Sequence, residues 1–152
     1  MHLETLEQKH FKKLFRITSK CEPWWGLDRN TSDRLFAKRE GFVVVTEAGE
    51  TVGHITFDSY IPQLEVVIHA CILPEFHGKW LTRSIYKKVF DRVFNELECQ
   101  RAVGLVYDGL TDPEFHPALG FKFEGTARRG LRVGTEYKDI HWYSMLPHER
   151  RW

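Results

Sequence analysis

The chain has 152 residues, a length that suits one domain spanning positions 1–152, and at 42% hydrophobic and 28% charged it is excluded from the disordered and collagen-like classes. A formal net charge of +1 gives no bulk field toward nucleic acid. No apolar run approaches the roughly 20 residues that cross a bilayer, so no membrane partner is expected.

The opening MHLETLEQKHFKK is mixed polar, with no apolar signal core. Residues 5–20 read as a helix, with Leu6, His10, Leu14 and Ile17 on one stripe and Phe11 and Phe15 beside it, and a short strand fits before it. The pattern breaks at Glu22-Pro23, and Trp24-Trp25-Gly26 follows. Paired tryptophans in a loop read either as a plug over the core or as a wall of a substrate pocket, and Trp24 and Trp25 are the candidate substrate contacts. Thr31-Ser32-Asp33 can cap a short helix through Phe36. Phe42–Thr46 and Val52–Ser59 read as strands around the turn Glu47-Ala48-Gly49-Glu50.

Leu64–Leu73 reads as a third strand, and its almost continuous apolar run from Val66 suits a strand buried on both faces. A helix is predicted over Leu81–Leu97, where Leu81, Ile85, Val89, Val93 and Leu97 recur every fourth residue. Arg101–Tyr107 is a short strand, Asp108–Pro117 holds turns or a short helix, and Gly120–Ala127 and Glu136–Leu146 are strands joined across Arg129–Gly134. The order α-α-β-β-β-α-β-α-β-β predicts an α/β fold of the mixed-sheet (α+β) kind.

Three cysteines, Cys21, Cys71 and Cys99, are an odd number at wide spacing, which points to a reducing, cytoplasmic compartment. Eight histidines are present, but none pair at zinc-ligand spacing and no metal site is expected.

The stretch HACILPEFHGKWLTRSIYKKVF holds the chemistry. A buried strand that feeds a helix through a glycine-bearing loop presents free N–H groups at the positive end of the helix dipole, an anion site. That pattern alone reads equally as a plain strand, turn and helix. For proton transfer, Glu65 and His69 share one face of the third strand and are the candidate bases; His54 with Asp58, and Asp139 with His141, make similar pairs. Arg128, Arg129 and Arg132 form a basic hairpin, either a solvated turn or a contact for an acidic partner.

ILPEFHGKWLTRSIYKKVF resembles the acetyl-CoA-binding segment of the GCN5-related N-acetyltransferase (GNAT) superfamily, in which a strand ending near Pro-Glu meets a [Gln/Arg]-x-x-Gly-x-[Gly/Ala] loop. HPALGFKFEGTARRGLRVGTEYKDIHWYSML is similar to that family's C-terminal part, and the likeness covers roughly residues 40–146. The Gly-Lys-Trp-Leu-Thr variant and the short length are similar to phage-type members, and the GFKFEG…WYSML run to members that acetylate protein N-termini.

The resemblance implies an acyl-CoA N-acyltransferase fold and an N-acetyltransferase, with acetyl-CoA as co-substrate and an amine-bearing protein or small molecule as acceptor. It puts Ala70, Cys71 and Ile72 against the pantetheine arm. His77, Gly78, Lys79, Trp80, Leu81 and Thr82 then surround the pyrophosphate, with Lys79 and Arg83 adding charge. Trp80 stands where the family has its middle glycine, so its side chain must point away and the cradle must use its backbone N–H. The family's acidic tyrosine position holds His116, whose imidazolium can protonate a thiolate; Tyr107 is the rival acid. These departures keep open a second reading, a binding or assembly protein that retains the fold without turnover. A nucleic-acid module built on the arginine hairpin is the third, and the near-neutral charge speaks against it.

Overall fold

Alternating apolar residues, glycine turns and two amphipathic stretches set the element order, which a computed structural model describes for residues 1–152. In chain order these are β1 (His2–Thr5), α1 (Phe11–Cys21), α2 (Arg29–Ala37), β2 (Glu40–Val45), β3 (Thr51–Ile61), β4 (Glu65–Ile72), α3 (Arg83–Asp91), β5 (Arg101–Tyr107), α4 (Phe115–Leu119), β6 (Lys122–Val133) and β7 (Glu136–Met145). The seven strands form one mixed sheet in the order β1-β2-β3-β4-β5-β7-β6. Two units divide the chain: Met1–Asp58 with His69–Tyr86, and Ser59–Ile68 with Lys87–Trp152.

In the first unit, β1, β2 and β3 run antiparallel, and Val43, Val44, Val52 and Ile55 are fully or almost fully buried. Leu14 and Ile17 of α1 and Phe36 of α2 fill the core, with the Phe36 ring against Phe11 at 5.9 Å and edge-on to His54 at 5.0 Å. The first helix starts later than the periodicity predicts, because residues 2–5 are taken by β1 and Gln8–His10 by a 3₁₀ turn. α2 is capped by Asp28 rather than by Thr31-Ser32-Asp33: the Asp28 carboxylate accepts the Thr31 N–H at 2.8 Å. Asp28→Ala is therefore expected to cost about 1 kcal/mol in urea titrations, and Thr31→Ala much less.

In the second unit, β4 pairs parallel with β5 over Glu65–Val67 and Arg101–Val103, and β5, β7 and β6 continue antiparallel. Phe90 of α3 meets Phe94 and Phe121 at 5.9 and 6.0 Å. The long helix expected over Leu81–Leu97 is α3 followed by a π-helical segment, Arg92–Glu96, whose last bond runs from Leu97 N–H to the Arg92 carbonyl. β6 extends beyond the predicted Ala127 to Val133, with a register shift between Ala127 and Leu131 where Arg129 takes φ +54°. No helix is long and apolar enough to cross a membrane.

Candidate active site

The C-terminal half of β4 ends where the Leu73 N–H donates to the Val52 carbonyl at 2.9 Å. A 3₁₀ turn, Pro74–Phe76, then folds His77 back, and its Nε2–H donates to the Ile72 carbonyl at 2.9 Å. The Cys21 thiol reaches the same carbonyl at 3.6 Å. The strand end is thus tied to both the following loop and the end of α1. His77 acts here as a staple inside the protein.

Gly78 has φ +75°, and a Cβ on it would meet nothing within 4 Å, so conformation rather than crowding calls for glycine and the space beside it is open. Lys79 and Trp80 both give their N–H groups to the Phe76 carbonyl, at 3.1 and 3.2 Å, and His77 gives its own to Pro74. Thr82 caps α3, its hydroxyl accepting the Ile85 N–H at 3.3 Å and its carbonyl the Tyr86 N–H at 2.9 Å. The N–H groups of Gly78, Leu81 and Ser84 have no backbone acceptor and remain as donors at the helix start. The Trp80 ring is buried, and its N–H closes the turn. The donors of this loop are therefore neighbours of Trp80, not Trp80 itself. Lys79 and Arg83 are exposed beside them.

His69 lies on the face of β4 turned toward α1. Its Nε2 is 2.7 Å from Glu22 Oε1, and Glu22 is only 8% exposed. The Trp25 indole N–H donates to the other oxygen, Oε2, at 2.9 Å. Burial pulls the His69 pKa down, but the hydrogen bond and charge of Glu22 outweigh it, and the net shift is upward. His54, behind it at 5.5 Å between ring centroids, is fully buried and held neutral, its pKa pushed well down by desolvation. The Cys21 and Cys71 thiols act on each other, which pulls the Cys21 pKa down and, with burial, pushes that of Cys71 far up. Trp24 belongs to the same 3₁₀ turn as Trp25 (Pro23–Trp25) and buries an indole N–H without a partner.

No protein-family model matches the chain. A GNAT-family acetyltransferase from Bacillus anthracis superimposes with a TM-score of 0.72 at 20% identity, over 97% of this chain and 95% of that one. The chain has the GNAT fold. A spermidine N-acetyltransferase SpeG chimera from Vibrio cholerae and hSSAT gives a TM-score of 0.79 at 19% identity over 97% of each chain. A Salmonella typhimurium acetyl transferase that modifies the N-terminal serine of a 50S ribosomal subunit protein gives 0.79 at 13% identity, over 95% of this chain and 93% of that one. In sequence, 79 residues are 34% identical to YdaF of Bacillus subtilis (strain 168), provisionally named a ribosomal N-acetyltransferase; they are 51% of this chain and 43% of that protein. The chain thus spans less than half the length of the curated relative it matches.

The other candidate residues of this GNAT fold lie in the second unit. Glu65 opens β4, at the opposite end of that strand from Ala70, Cys71 and Ile72, and pairs with Arg101 at 2.8 Å; the same guanidinium holds Glu124. It serves as a strand clamp. His116 lies in α4 over Gly104, where an added Cβ would come within 2.1 Å of the ring, and it stacks on Tyr143 at 5.9 Å. Burial pushes its pKa down to about 4, so at neutral pH it carries no imidazolium proton. Tyr107 ends β5, half-buried, with its carbonyl accepting the Leu110 and Thr111 N–H groups. A cleft of about 490 Å³ opens near this strand end, walled by Phe123, His141 and Tyr143 and edged by Asp108. The arginine hairpin is internally tied: Arg129 lies over the Tyr137 ring at 4.8 Å, and Arg132 donates to the Gly134 carbonyl.

Glu22 and Cys21 are not visible as site residues in the sequence, and neither is the approach of Cys21 to Cys71. Glu22 and His69 stand 47 positions apart, and no local pattern links them.

Proposed function

We propose that the chain is an acetyl-CoA-dependent N-acetyltransferase acting on a primary amine of a protein or small molecule. The observation that carries this reading is the end of β4 with its loop. It combines an open space at Gly78, free N–H groups on Gly78, Leu81 and Ser84, and an N-capped helix of nine residues behind them. This donor set fits a pyrophosphate, and Lys79 and Arg83 add positive charge beside it. When bound, acetyl-CoA supplies an activated acetyl group as a thioester.

On this reading Ala70, Cys71 and Ile72 hold the extended arm through their backbone, and the loop holds the phosphates. His69 takes the proton from the attacking amine. The new C–N bond forms as the C–S bond breaks, and the thiolate takes its proton from solvent. The fold neighbours that act on spermidine and on a ribosomal protein N-terminus support an amine acceptor.

A second reading, a non-catalytic binding protein with the same fold, is favoured by the internally bonded N–H groups of His77, Lys79 and Trp80. Isothermal titration with acetyl-CoA, followed by thiol release across a panel of polyamines and peptide N-termini, separates the two. Micromolar binding with acceptor-dependent thiol release is expected. Binding without release from any amine would favour the second reading, and no heat at millimolar acetyl-CoA would sink the first.

A further inference from the structure

We propose that Glu22 is a positioning residue, clamped by Trp25, that holds His69 as the Nε2–H tautomer and so leaves Nδ1 as the nitrogen that takes the acceptor's proton. This rests on the acetyltransferase reading above. Glu22 is 8% exposed, and a buried carboxylate is costly unless its oxygens are matched by donors. Here both are matched: Oε1 meets His69 Nε2 at 2.7 Å, and Oε2 accepts the Trp25 indole N–H at 2.9 Å. A carboxylate only accepts, so Nε2 must carry the proton in the neutral ring, and the lone pair lies on Nδ1. The His69 side chain keeps 22% exposure, so its ring is accessible while its partner is not.

The groups around the ring leave Glu22 as the dominant partner. From β3, His54 is neutral and gives its Nε2 to a contact with Thr18 of α1 at 3.4 Å. Asp58, also of β3, raises the His69 pKa, and Arg39 lowers it; the two are paired with each other at 3.3 Å and act in opposite directions. The carboxylate stabilises the imidazolium formed when Nδ1 accepts a proton, the same service a buried acid gives a catalytic histidine elsewhere. Trp25 matters because Glu22 sits just past the end of α1, where a free side chain would have several rotamers. The indole bond selects the one that faces β4.

Nitrogen-15 NMR of the full-length protein tests this without an acceptor. Above the His69 midpoint the ring is expected to show a protonated Nε2 and a bare Nδ1; the reverse tautomer would overturn the proposal. Glu22→Gln removes the charge and offers one acceptor to two donors, so the midpoint is expected to fall, and an unmoved midpoint would equally overturn it. Trp25→Phe, at a more exposed position, should shift the midpoint the same way by less, and serves if Glu22→Gln does not fold. With a turned-over amine, His69→Gln should lower kcat by about 10²-fold, and Glu22→Gln should move the ascending limb of the kcat pH profile to lower pH. If the NMR behaves as stated and no amine is ever turned over, the positioning of His69 stands and the transferase reading falls.

Discussion

Lowering the pH from 6.5 to 4 is expected to remove about 3 kcal/mol of stability through His116 alone. Its folded pKa is about 4, against 6.5 for a free histidine. Between those values the unfolded chain binds a proton that the folded chain refuses, so stability falls as pH falls, by about 1.4 kcal/mol for each pH step, and levels off below the folded value. The cause is burial of the ring against Gly104, Phe121 and Tyr143. His54, buried more completely, adds a slope of the same sign. His69 has the opposite sign: its raised pKa contributes stability that is complete below 6.5 and lost as pH rises through the folded value, outside this window. Carboxylates held low, such as Asp91 beside Lys87 and Arg150, act at lower pH still. Urea titrations at several pH values on wild type and His116→Phe isolate the effect as the difference between the two slopes. Parallel slopes would mean that the ring is solvated in the folded state. The same burial bears on catalysis, since a ring neutral down to about pH 4 cannot act as a cationic acid at neutral pH.

The parts legible in the sequence were those fixed by neighbours along the chain. The apolar run of β4, the stop at Pro74, the Gly78 loop and the face of α3 are all local, and the Gly49 turn between β2 and β3 is a matter of four residues. The motif asks the Trp80 side chain to point away from the phosphates, and its ring is buried. The bond from its N–H to the Phe76 carbonyl, which also accepts Lys79, is not legible in the motif because it depends on the 3₁₀ turn just before it. The cap of α2 was misread for a related reason. Thr31, Ser32 and Asp33 are all good cap residues, but the chain becomes helical at Arg29, so the cap falls to Asp28. Least legible were the pairings made by folding: Glu22 with His69, Cys21 with Cys71, His116 with Gly104. Each joins residues far apart in sequence, and the chemistry of His69 and His116 follows from those partners rather than from the residue type. The two histidines move in opposite directions because one is hydrogen-bonded to a buried carboxylate, while burial of the other outweighs the charge of Asp112.

Gly53→Ala is expected to cost about 3 kcal/mol and to weaken acetyl-CoA binding about tenfold or more, the upper end of what one added core methyl does. A Cβ at Gly53 would lie 2.5 Å from the Cys71 carbonyl oxygen and 2.9 Å from Ile72 Cα. It would also lie 2.4 Å from Ile72 Cδ1, but that methyl ends a flexible side chain and can rotate away. The backbone atoms cannot, because Leu73 is bonded to Val52 at 2.9 Å and the Ile72 carbonyl is held by His77. β3 must therefore part from the stretch of β4 proposed to carry the pantetheine arm. Gly125→Ala is the control: on β6 its Cβ would meet nothing within 4 Å, and the change is expected to stay within about 0.5 kcal/mol. Urea titration of both variants measures the stability, and calorimetry with acetyl-CoA measures the binding. A Gly53→Ala protein that loses stability yet binds acetyl-CoA as wild type does would separate the strand contact from the cofactor and remove Cys71 and Ile72 from the binding site. A loss of both, with Gly125→Ala unchanged, would tie the packing of β3 against Cys71 and Ile72 to the function of the loop that follows them.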